Sequence, residues 1–179
     1  MTHAELVARA GAWLRAKGCK IVFTELVTLQ GETPDAIGWR DSGGTSFLIE
    51  CKTSRADFHA DKHKPHRRAD AEGIARAMGR FRYYLCPAGV LRVEDLPPRW
   101  GLLWCHPKKI ELVHGKDPVR YDVVPEFVNE ASHSCELRMM FSALNRLRVD
   151  LGDTAFRDRV HLPYMQRQRE RLAKEQQQQ

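Results

Sequence analysis

Apolar residues near the start of the chain recur at helical spacing. Leu6, Ala10, Trp13 and Leu14 fall on one side of a 3.6-residue repeat, Glu5 and Arg9 form an i,i+4 pair, and Gly18 follows as a stop signal, which predicts a helix over 3–17. The pattern then changes: residues 19–27 (Cys-Lys-Ile-Val-Phe-Thr-Glu-Leu-Val) are β-rich and predict a strand. After a turn over 30–34, two short strands are predicted at about 35–40 and 45–52, joined by Asp41-Ser42-Gly43-Gly44. Beyond Lys52 the chain turns polar. Ser54 is placed to cap a short helix, Pro65 interrupts its continuation, and a further helix is predicted over 67–79, ending near Gly79. Strands follow at 81–86, at 101–105 after the Pro97-Pro98 loop, and at 109–113, which alternates as an edge strand. Residues 118–129 carry no firm pattern. A helix over 133–148 presents Leu137, Met140, Phe141, Leu144 and Leu147 as its apolar face, with Arg138, Asn145, Arg146 and Arg148 mostly outside. From Met165 to Gln179 the chain is charged and then all Gln, which reads as a frayed helix or disordered tail.

The order helix, strand, strand, strand, helix, strand implies an α/β fold with a mixed sheet flanked by helices. A chain of 179 residues suits one domain with a sizeable core and an appendage. The expected division is a core over 1–115, a helical extension over 116–152 packed on it, and the tail over 153–179. There is neither a P-loop nor a dinucleotide glycine fingerprint. No apolar run approaches the roughly 20 residues that span a bilayer, and the first residues have no secretory pattern. Five scattered cysteines read as reduced thiols, so the expected location is cytoplasmic.

Charge sharpens the picture. The formal net charge is +6, and between Lys52 and Arg82 nine Lys/Arg stand against four acids. A basic zone of this kind suits a polyanion, and Arg55, Lys62, Lys64, Arg67 and Arg68 are the candidate nucleic-acid contacts. The alternation Asp57, His59, Asp61, His63, with His66 beyond, looks like a metal cluster, but it has no nearby Cys and reads as a solvated loop. Tyr83 and Tyr84 suit base stacking or core packing, core packing being the default. Cys105-His106 lacks the oriented third group of a thiol nucleophile.

The most informative chemistry lies in the hairpin. If residues 41–44 close it, opposed residues have numbers that sum to 85, which sets Asp35 opposite Glu50, and Lys52 shares a strand face with Glu50. Two carboxylates and an ammonium then converge at one end, where unscreened like charges invite a divalent cation. Mg²⁺, with Mn²⁺ as a substitute, takes oxygen ligands of this sort. The bland reading is a surface hairpin with an incidental Glu50–Lys52 ion pair.

Pro34-Asp35 followed by Glu50-Cys51-Lys52, in an α-β-β-β-α-β order over residues 3–105, resembles the PD-(D/E)XK nuclease superfamily. Lys52-Thr53-Ser54-Arg55-Ala56-Asp57-Phe58, Asp61-Lys62 and Phe81-Arg82-Tyr83-Tyr84 are similar to its MmcB-like branch, associated with DNA repair. The resemblance implies a restriction-endonuclease-like fold and a Mg²⁺-dependent DNA nuclease that leaves a 5′-phosphate. It implies Asp35, Glu50 and the backbone carbonyl of Cys51 as metal ligands, and Lys52 as the group that orients water or stabilises charge on the phosphate. It also implies a further acid. The superfamily's first-helix position favours Glu5, and the MmcB-like pattern favours Glu25. The expected setting is repair, recombination or mobile-element biology, and a homodimer is compatible with cutting both strands. The rival expectation is a non-catalytic nucleic-acid- or partner-binding module with the same fold; RNA cleavage is a third.

Overall fold

The computed structural model describes residues 1–28, 33–40, 45–61, 77–120 and 124–177. The first helix, α1 (His3–Ala16), begins with a capping box. The Thr2 hydroxyl accepts from the Glu5 amide (3.2 Å), and the Glu5 carboxylate accepts from the Thr2 amide (2.7 Å). Among the described residues six strands follow: β1 (Ile21–Thr24), β2 (Ala36–Trp39), β3 (Ser46–Cys51), β4 (Phe81–Pro87), β5 (Trp100–Cys105) and β6 (Ile110–His114). They form one sheet in chain order. β1, β2 and β3 make an antiparallel meander, β3, β4 and β5 are parallel, and β6 returns antiparallel. This is an α/β fold with a mixed sheet flanked by helices, consistent with a restriction-endonuclease-like arrangement.

Strand alternation sorts the two faces. Phe47, Ile49, Cys51, Tyr83, Leu85 and Leu103 pack with Leu6, Ala10, Trp13 and Leu14 of α1 in one buried cluster. Tyr84 points the other way and meets Phe58 of α2 (Arg55–Asp61), ring centroids 4.9 Å apart, so α1 and α2 cover opposite faces. The α2 start follows its sequence signal, because the Asp57 amide donates to Ser54 Oγ at 3.1 Å.

Glycine matters where β4, β5 and β6 close on one another. A Cβ on Gly101 would lie 2.5 Å from the Tyr83 ring and 2.8 Å from the His114 carbonyl oxygen. Neither is a flexible chain end, so Gly101→Ala is expected to cost about 1–3 kcal/mol, read as a lower urea midpoint at unchanged m.

Several expectations need correction. β1 is shorter than 19–27, because Glu25 takes a left-handed backbone (φ 49°) that ends it. Of the helix expected over 67–79, only residues 77–79 are described, and they are not helical. The first unit does not close at 115: the chain divides into Met1–Glu136 and Leu137–Gln179, a boundary inside α3 (His133–Leu151). The reason is chemical. Phe127 and Val128 pack against the buried cluster. Buried Glu136 accepts from Trp39 Nε1 (2.9 Å), Ser46 Oγ (2.7 Å) and the Gly79 amide (2.9 Å). Glu136→Ala leaves these donors without their acceptor, and a loss of about 2–4 kcal/mol is expected in denaturant unfolding.

In the second unit, α4 (Asp153–Gln177) runs as helix into the stretch from Met165 that the sequence reads as a frayed helix or disordered tail. Leu137, Phe141, Leu144 and Leu147 are exposed, not core. Two helices by themselves have too little surface to cover every apolar position they carry.

Candidate functional site

The β2–β3 register pairs Ala36 with Ile49 and Trp39 with Ser46, so opposed numbers sum to 85 as the hairpin reading predicts. Asp35 therefore stands at the end of the hairpin where β3 finishes. Its Oδ2 accepts from the Cys51 amide at 2.6 Å. One residue on either side of Cys51 are Glu50 and Lys52, whose Oε2 and Nζ lie 3.8 Å apart with side chains only 5% and 4% exposed. Burial pushes the Cys51 thiol pKa up, and the nearby Asp35 and Glu50 carboxylates push it further.

His3, at the first position of α1, joins them. Its Nε2 lies 3.3 Å from Asp35 Oδ1 and 3.6 Å from Glu25 Oε1. Glu25 has a left-handed backbone, and its amide donates to the Asp35 carbonyl at 3.1 Å. Between the two accessory acids, Glu25 shares His3 with Asp35, whereas the Glu5 side chain is engaged in the α1 capping box. The hydrogen bond from the Thr2 amide holds the Glu5 carboxyl below its usual pKa. Sequence reasoning missed His3. A histidine at a helix start has no periodic signature, and its role depends on where α1 begins relative to β1 and β2.

The donor set is one a hard cation accepts: the Asp35 and Glu50 carboxylates and the Cys51 carbonyl, with waters for the remaining positions. Among the described residues, no group of three or more His, Cys, Asp or Glu side chains converges as a metal site.

Comparison with known proteins defines the fold only. The chain is similar in structure to SPO1766, a protein of unknown function from Silicibacter pomeroyi. The TM-score is 0.55 at 23% identity, over 86% of this chain and 94% of that one. No family model and no curated protein matches the chain.

The remaining sequence-predicted residues separate. Lys62, Lys64, Arg67 and Arg68 lie outside the described residues, as do His63 and His66. Arg55 is turned to Asp95, with Nη1 to Oδ2 at 2.7 Å and Nη2 to Oδ1 at 2.6 Å, a fork that raises the pKa of the guanidinium and lowers that of the carboxyl. Tyr83 and Tyr84 are both buried: Tyr83 donates to the Lys116 carbonyl (2.5 Å) and Tyr84 stacks on Trp100. Asp57 accepts from the Thr53 amide at 3.0 Å, a local cap. Cys105 is buried with its thiol pKa raised by that burial, and His106 Nε2 lies 2.8 Å from Glu111 Oε2. None of the described helices is long and apolar enough to cross a membrane.

Proposed function

We propose that this chain is a Mg²⁺-dependent DNA nuclease of the PD-(D/E)XK type, close to its MmcB-like branch, working in the cytoplasm in repair, recombination or mobile-element biology. One observation supports this above the others. The hairpin register sets Asp35 on the Cys51 amide at 2.6 Å, beside the buried Glu50–Lys52 pair, at the carboxyl end of the parallel strands. Asp35, Glu50 and the Cys51 carbonyl would hold the ion. The ion, when bound, supplies polarisation of the scissile phosphate and a more acidic water.

The chain's own groups supply the rest. Lys52 holds an ammonium in a site nearly closed to bulk water, where a charge acts more strongly than on the surface, and it would stabilise negative charge developing on the phosphate. Glu50 compensates that ammonium before substrate arrives. His3 and Glu25 fix the orientation of Asp35.

The second reading is a nucleic-acid-binding module that keeps the fold without turnover. The burial of Glu50 and Lys52 favours it, because a phosphate must reach them. Labelled duplex, branched and single-stranded DNA, with RNA in parallel, incubated in Mg²⁺, Mn²⁺ or EDTA, separates the readings. Metal-dependent nicking lost in Lys52→Ala and Asp35→Ala supports the nuclease. Salt-dependent binding with no cutting under any metal supports the module. Cutting that survives both substitutions places the chemistry elsewhere.

A further inference from the structure

The basic zone that the sequence points to follows β3. The carboxyl end of the sheet carries a different cationic group. β3, β4 and β5 are parallel, so β5 finishes at the same edge as Cys51 and Lys52. The chain then turns tightly through Pro107 and Lys108 into β6. The His106 amide donates to the Lys109 carbonyl at 2.9 Å, and Cys105 pairs with Ile110. Lys108 and Lys109 are both exposed on this turn.

Arg9 of α1 ties the turn to the helix that bears His3, donating from Nη1 to the Pro107 carbonyl at 3.3 Å. The neighbouring acids are engaged locally: Glu111 with His106, and Glu5 with the Thr2 amide. Two rulers place the turn. Two inter-strand steps from β3 to β5 are roughly 10 Å, and six residues of helix from His3 to Arg9 rise about 9 Å. Measured along a duplex axis, where one strand carries a phosphate every ~3.4 Å, that span is about three nucleotides.

We propose that Arg9, Lys108 and Lys109 form a phosphate-tracking surface that holds the nucleic-acid backbone about three nucleotides from the Asp35–Glu50–Lys52 corner. It rests on the nuclease reading for which strand passes there, but the contact itself is with backbone phosphates and needs no cleavage. The tight turn fixes where the two lysines leave the backbone, and a charge track of this kind reads no base sequence.

The test measures binding apart from cleavage. Full-length protein carrying Asp35→Asn is titrated in EDTA with a labelled DNA duplex by fluorescence anisotropy across a salt series. Lys108→Ala/Lys109→Ala is then compared with Lys20→Ala, an exposed lysine at the opposite end of the sheet. The double substitution is expected to weaken binding about tenfold or more at low salt and to flatten the log K against log salt slope by about 2, with Lys20→Ala unchanged. Equal affinity and slope in both variants would overturn the surface while leaving the nuclease reading to the nicking assay. No DNA binding by the parent protein would overturn it as well, as would an equal loss with Lys20→Ala, which marks diffuse charge. Circular dichroism confirms that the turn variants are folded.

Discussion

Asp35→Asn is expected to lower metal-dependent DNA cleavage by about 10²–10³-fold or more while the protein stays folded. The substitution is chosen for what it keeps. Asparagine has the size of aspartate and retains a side-chain oxygen to accept from the Cys51 amide, now 2.6 Å from Oδ2. Only the negative charge goes. The stability loss should therefore stay within about 1–2 kcal/mol, the difference between a charged and a neutral acceptor. A carboxylate that merely anchors the end of β3 would pass this substitution with its activity nearly intact. One that ligates a divalent ion would not, because a neutral amide oxygen gives up most of the Coulomb attraction. The rate is read on nicked DNA in Mg²⁺ and in Mn²⁺, and the folded fraction by urea titration. Cleavage at wild-type rate would remove Asp35 from the metal site.

The hairpin was legible because a local signal sets its register: the glycine-containing turn fixes which residues oppose each other. A one-residue slip would flip every side chain to the other face. The Ser54 cap and the order of the strands were legible for the same kind of local reason. His3 was not, nor was the Arg55–Asp95 fork, because their partners are distant in sequence and no period connects them. Glu136 reads as an ordinary polar residue in a first turn. Only the tertiary structure sets it beneath Trp39, Ser46 and Gly79, 57 to 97 residues away. That same latch explains why the first unit runs past residue 115. The row from Leu137 to Leu147 shows the reverse failure: amphipathic periodicity reports that a face is apolar, not that anything covers it.

Stability and activity should come apart at the Glu50–Lys52 pair. Both side chains are almost wholly buried and 3.8 Å apart, so each charge lowers the cost of burying the other. Removing one alone, as Glu50→Gln or Lys52→Met, is expected to destabilise the protein by about 3–5 kcal/mol, since the survivor keeps its desolvation penalty and loses the nearest opposite charge. Removing both should cost much less than the sum, because no charge is left stranded. The expected coupling in a double-mutant cycle is about 2–3 kcal/mol. Cleavage should follow the opposite logic. The double variant regains the fold but has neither the carboxylate for the ion nor the ammonium for the phosphate, so its activity stays at the floor of the single variants. Urea midpoints and nicking rates on the same four proteins make the comparison. Additive stability losses would mean that the two groups do not act as a pair. A folded double variant that still cuts DNA would move the active site away from the end of β3.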